Sequence, residues 1–347
     1  MSPPAAPASP LPLPELDELQ RLIDQAGPAL QVEQACEVRL DDGERLPVWL
    51  LSLGNPDPAL PGFGVFGGVH GLERIGAEVV IAWLRSLVMR LRWDATLHHQ
   101  LDTQRIVLMP LVNPGGLRRG TRANPQGVDL MRNAPVDSDD AVPWLLGGHR
   151  LGPGLPWYRG PAGAPMQPEA QALCAAVQRE LLPRPFSLAV DCHSGFGLRD
   201  RLWFPFAHTA RPMPQLAVLQ AFGTILDQSL PHHPYVLEPQ SRHYRTHGDL
   251  WDHLLLQAAP GQVFLPLTLE MGSWLWVKKN PRQLFSRRGL FNPLIEHRQQ
   301  RVLRRHLAWL DFAARAAASC ARWLPDAAAH PALEQAALTR WYRAGTR

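Results

Sequence analysis

Two periods of polar and apolar positions alternate along the chain. The segments GFGVFGGV (62–69), RIVLMPLVNP (105–114), FSLAVDCH (186–193) and VFLPLTLEM (263–271) are short and almost continuously apolar. That pattern predicts strands buried on both faces, the second stopped by its Asn-Pro pair. DRLWFPFA (200–207) is a possible further strand. Between these runs the apolar spacing turns helical. In 73–91 it falls on Ile75, Val79, Ala82, Trp83 and Leu87, and helices are also predicted over 168–182, 214–230 and 293–319. Buried strands alternating with helices predict an α/β fold with a mixed, mostly parallel central sheet and helices on both faces.

The expected organisation is one domain over residues 31–320, a flexible Pro-rich lead over 1–30 and a helical tail over 321–347. The Pro- and Gly-rich stretch 134–166 reads as a long surface connection. No run reaches the roughly 18 uncharged apolar residues of a membrane span. The N-terminal residues lack the basic and apolar regions of a secretory signal, so a cytoplasmic location is expected. The four cysteines are scattered and form no C-x-x-C pair, which fits reduced thiols. Net charge is +4, with arginine clusters at 118–122 and 297–306. The second repeats at helical spacing and is expected to be a solvated face. Without an aromatic-interleaved basic module, a nucleic-acid partner is not expected.

Chemistry-bearing residues gather where the predicted strands end. The first strand runs into His70 and Glu73, the second into Asn113-Pro114-Gly115-Gly116 and the arginine cluster. The third ends in Asp191-Cys192-His193, and the late strand ends in Glu270. In open α/β sheets, ligands bind beyond the carboxyl ends of the strands. Two histidines and one carboxylate would make a three-ligand zinc site with an open position, and a further carboxylate could act as base on a water there. His70-x-x-Glu73 alone decides nothing, because short motifs recur by chance.

The ordered set HGLE, NPGG, GTRAN, GVDLMRN, DCHSG, YRTHG and TLEMG resembles the zinc metallocarboxypeptidase family, the carboxypeptidase A-like enzymes, over about residues 62–275. The resemblance implies one zinc ion held by His70, Glu73 and His193, with Glu270 as general base. It implies that Arg122 stabilises the oxyanion, with Arg118 and Arg119 as solvent-facing alternatives. Arg132 would bind the substrate carboxylate and Tyr244 would cap the substrate, Tyr235 being the alternative. Asp129 matches the carboxylate behind His70, while the role of Asp191 stays open. The family places Asn before the carboxylate-binding arginine; here Met131 stands there, and methionine cannot donate that hydrogen bond. Asn133 is the candidate substitute. Trp251 and Asp252 are candidates for lining the side-chain pocket. The implied substrate is a small peptide or an acylated amino acid, with oligomeric state unread. The rivals are an N-acyl amino acid deacylase of the aspartoacylase or succinylglutamate desuccinylase type, and a catalytically inactive binding relative. The former usually continues into a β-rich C-terminal domain, whereas this tail reads helical.

Overall fold

The computed structural model describes residues 11–342. Eight strands form one sheet: β1 (Gln31–Arg39), β2 (Arg45–Gly54), β3 (Gly62–Gly67), β4 (Arg105–Met109), β5 (Phe186–Ser194), β6 (Arg201–Phe204), β7 (Val236–Pro239) and β8 (Val263–Met271). The helices are α1 (Pro14–Ala26), α2 (Arg74–Arg90), α3 (Ala95–Asp102), α4 (Pro114–Arg119), α5 (Pro168–Glu180), α6 (Leu216–Ser229), α7 (Leu250–Leu255), α8 (Trp274–Lys279), α9 (Arg287–Phe291), α10 (Glu296–Ala318) and α11 (His330–Trp341). The spatial order is β1-β2-β4-β3-β5-β8-β6-β7. The central β4-β3-β5-β8 ladder is parallel, and β6 pairs antiparallel to β8. This is the mixed, mostly parallel sheet expected from the sequence.

Phe63 and Phe66 point to opposite faces of β3, as an odd offset on a strand requires. Phe63 meets Trp83 of α2 edge-on at 5.5 Å, and Phe66 meets Trp251 of α7 at 5.1 Å. Helices therefore cover both faces, which is why the central strands read as continuously apolar.

β3 lies between β4 and β5 in the sheet, so the two strands that follow it in the chain fall on opposite sides of it. That makes its C-terminal end the topological switch point, where such sheets open a crevice. Two glycines permit the close approaches there. A Cβ on Gly76, in the first turn of α2, would lie 2.2 Å from the Cys192 carbonyl oxygen; one on Gly71 would lie 2.0 Å from backbone of Gly116. No side chain fits at either place.

At both ends of the described chain, helices join the main fold. Residues 1–10 of the Pro-rich lead lie outside the described residues, but 14–26 form α1. Its Leu19 and Leu22 are buried in the main core, and Glu15 grips the buried Arg74 through two hydrogen bonds of 2.6 and 2.7 Å. In the tail, α11 packs against α6, and Trp341 donates to the Leu237 carbonyl at 2.8 Å, so it joins the same core. No helix among the described residues is long and apolar enough to cross a membrane.

Candidate metal centre and active site

His70 and Glu73 follow β3, Glu73 as the residue before the first turn of α2, and His193 lies near the end of β5. All three are buried, and each offers one ligand atom within 4.8 Å of the others. Glu73 Oε2 accepts from His193 Nδ1 at 3.1 Å and from the Ser194 amide at 2.9 Å. His70 Nδ1 is buried without a hydrogen-bond partner. An orphaned imidazole nitrogen beside a second imidazole and a carboxylate fits a divalent cation, and the mixed N/O donor set suits zinc.

The protonation states fit the same reading. Burial first, then the Arg122 guanidinium, lower the His70 pKa well below the usual imidazole value, keeping one ring nitrogen's lone pair free to ligate. Burial would lower His193 too, but Asp191 and then Glu73 raise it well above that value. The His193 proton thus occupies the cationic place between the acids, and a metal ion would compete with it. Asp191 accepts from His193 Nε2 at 2.7 Å and from Trp251 Nε1 at 2.9 Å, so it orients this imidazole. Asp129 lies 3.6 Å from His70 Nδ1, beyond a hydrogen bond; its firm contacts are Arg122 Nε at 2.7 Å and the Met131 amide at 3.1 Å.

Strand register places His193 directly opposite Glu270. Glu270 Oε1 accepts from the Phe196 amide at 3.0 Å. Burial, then the neighbouring Glu73 carboxylate, push the Glu270 carboxyl up to about 8. A carboxyl poised near neutrality is suited to taking up a proton.

A cleft of about 1170 Å³ opens over this cluster, lined by His70, Glu73, His193, Glu270, Arg122, Arg132 and Tyr244 together. Arg122 reaches Glu73 Oε1 at 3.4 Å as well as Asp129. Burial would lower its pKa, but Asp129 and Glu73 raise it. Arg132 is almost fully buried, held by the Met131 and Leu146 carbonyls. Met131 lines the same wall and adds only apolar surface.

Packing places the remaining candidates. Asn133 does not line the cleft: its amide donates to the Arg159 carbonyl at 2.9 Å and its oxygen accepts from the Gln167 amide at 2.5 Å. Trp251 is spent on Asp191, and Asp252 accepts from the Ala207 and His208 amides and from His208 Nδ1; neither lines the cleft. Tyr235, the alternative to Tyr244, is buried against His306. Arg119 is held by Asp41 and the Pro125 carbonyl yet borders the cleft wall, whereas Arg118 pairs with Glu44. Sequence reasoning did not single out the Phe196 amide or Trp274. The amide has no side-chain signal, and only the GSW following Glu270 hinted at the tryptophan.

Residues 44–263 match the zinc carboxypeptidase family, a span that includes the three ligand candidates and stops short of Glu270. Carboxypeptidase D of Anas platyrhynchos is 24% identical over 197 residues, 53% of this chain but only 12% of that protein. The chain therefore matches a small part of that relative. Among solved structures, thrombin-activatable fibrinolysis inhibitor superposes with a TM-score of 0.64 at 16% identity, covering 87% of this chain and 74% of the other. Carboxypeptidase A of Helicoverpa armigera gives 0.61 at 17%, covering 88% and 72%. With the family match spanning well over half its length, this chain belongs to the zinc carboxypeptidase family.

Proposed function

We propose that the protein hydrolyses a peptide or amide bond next to a substrate carboxylate, as a zinc-dependent carboxypeptidase. The observation that supports this most is the pairing of His193 with Glu270 across β5 and β8, beside His70 and Glu73 and under one cleft with two arginines. Zinc held by His70, Glu73 and His193 would supply Lewis acidity at the scissile carbonyl and acidify the attacking water. Glu270 takes that water's proton and returns it to the leaving amine. Arg122, fixed by Asp129, offers a positive group to the developing oxyanion. Arg132 holds the substrate carboxylate with its planar fork, and Tyr244 closes over it. With Met131 beside it, that anchor rests on charge rather than on a neighbouring amide donor. For location we propose the cytoplasm, supported by four cysteines that form no disulfide.

Metal analysis of the pure protein tests the centre. A panel of peptides and N-acyl amino acids with free or amidated carboxyl ends tests the chemistry. Cleavage of the free-carboxyl peptides, lost on chelation and restored by zinc, is expected. Equal cleavage of amidated substrates would remove Arg132 from the anchor role. A preference for N-acyl amino acids over peptides would favour a deacylase.

A further inference from the structure

Residues 271–295 contain no aspartate or glutamate but carry five cations: Lys278, Lys279, Arg282, Arg287 and Arg288. All five are exposed, and among the described residues none of their side chains makes an ion pair or a hydrogen bond. Elsewhere the exposed arginines commonly have partners, such as Arg179 with Glu33 and Arg85 with Glu18. The same segment exposes apolar area: Trp274 is 52% exposed, Leu284 58% and Phe285 93%. Although Arg288 lies in the field of Glu78, charge of one sign that makes no ion pair, next to exposed apolar side chains, marks a binding surface better than a solvated one.

This ledge is hydrogen-bonded to the loops of the cleft and continuous with it. Trp274, Arg287 and Phe291 line it. Trp274 Nε1 donates to the Gly195 carbonyl at 2.9 Å, and Ser194, next to His193, donates its hydroxyl to the Phe291 carbonyl at 2.7 Å. Asn292 binds the Leu72 carbonyl at 2.8 Å and the Ile75 amide at 2.9 Å, on either side of Glu73. Gln283 braces the segment from within through the Gly289 and Asn292 carbonyls. The cations are thus fastened to both loops that bear the ligand candidates.

We infer that the ledge binds the part of a peptide substrate that leaves the cleft, and that this part is acidic. The inference rests on the carboxypeptidase reading: with the terminal carboxylate at Arg132, the rest of the substrate must pass the ligand loops to reach solvent. The cleft walls agree in sign, because Arg119, Arg122 and Arg132 line them and the carboxylates there are Glu73 and Glu270.

The test uses zinc-loaded full-length protein and fluorescein-labelled peptides that share a free C-terminal dipeptide, its scissile amide replaced by an uncleavable ketomethylene, and differ upstream in four Glu, four Gln or four Lys. Binding is read by anisotropy at 50 and 300 mM salt. The Glu peptide should bind about tenfold more tightly than the Gln peptide at low salt, and the margin should shrink to about twofold at high salt, as for several exposed ion pairs. The double variant R282E/R288E should reverse the Glu-over-Lys order, and R282Q/R288Q should flatten it, with thermal melts checking the fold. Equal affinity for Glu and Gln peptides overturns the inference. So does a single-stranded oligonucleotide that displaces the Glu peptide at a lower concentration than unlabelled peptide does. Because binding is measured without turnover, failure of the ledge is distinguishable from failure of the proposed hydrolysis, which the free and amidated peptides report separately.

Discussion

Replacing Asp191 with asparagine should weaken zinc binding about tenfold and leave the fold intact. The carboxylate is fully buried, and its Oδ2 receives both His193 Nε2 at 2.7 Å and Trp251 Nε1 at 2.9 Å. Asparagine has the same shape, and its oxygen can keep both hydrogen bonds. Its NH2 group takes the place of Oδ1, which has no partner in the wild type either. What disappears is the negative charge behind the imidazole. A hydrogen bond to a charged group contributes about 1.5–3 kcal/mol, against about 1 kcal/mol for a neutral one. The difference of about 0.5–2 kcal/mol corresponds to roughly 2- to 30-fold in affinity. That overlaps the roughly 10- to 100-fold typical when the carboxylate supporting a ligating histidine is lost. Competition against a fluorescent zinc chelator at neutral pH measures the effect, and near-UV circular dichroism checks that Trp251 keeps its packing. Zinc affinity within twofold of wild type, with an unchanged spectrum, would refute the role given to Asp191.

Glu270→Gln should retain zinc and lower kcat by about 10³-fold, within the usual range for a general base; near wild-type turnover would end that assignment. Arg132→Ala should raise KM for free-carboxyl peptides by about 10²-fold, the size of a lost charge-assisted pair, and barely affect amidated ones. Glu15→Ala strands the buried Arg74 guanidinium and should cost about 3–5 kcal/mol, read from urea unfolding; a loss below about 1 kcal/mol would mean that α1 is not integral to the fold. Burial pushes His306, which faces Tyr235, Asp200 and Arg305, down to about 4, so the unfolded chain binds its proton first as the pH falls. Its contribution is complete above pH about 6.5 and is lost as the pH drops to about 4, costing about 3 kcal/mol in all. Urea midpoints from pH 7 to 4 should therefore fall less steeply in His306→Gln than in wild type.

Legibility followed how far away each residue's partner lies. The central strands could be read because burial on both faces is written into their own residues, as in the wholly buried β5. β1 could not, since Glu33, Gln34 and Glu37 line an edge strand that is largely exposed. The ligand candidates and Glu270 could be placed because each ends a strand, and strand ends converge at a switch point whatever their separation in sequence. The polar residues around them behaved differently. The even offset from His193 gave the side of β5 on which Asp191 lies, but not that Trp251, 60 residues on, would be there to share it. Asn133 sits next to Arg132, yet the 3₁₀ turn over Leu130–Arg132 rotates about 120° per residue and sends Asn133 away from the cleft, toward Arg159 and Gln167. Glu15 looked like part of a mobile lead because the residue it neutralises, Arg74, is 59 positions away. Spacing within an element fixes where a side chain points along that element, while a buried charge or amide is placed by what faces it across the core. The site's reacting groups obey the first rule and its supporting groups the second. That is why the chemistry could be anticipated from the motifs, while the partners of Asp191, the pairing of Glu15 with Arg74 and the ledge needed the folded chain.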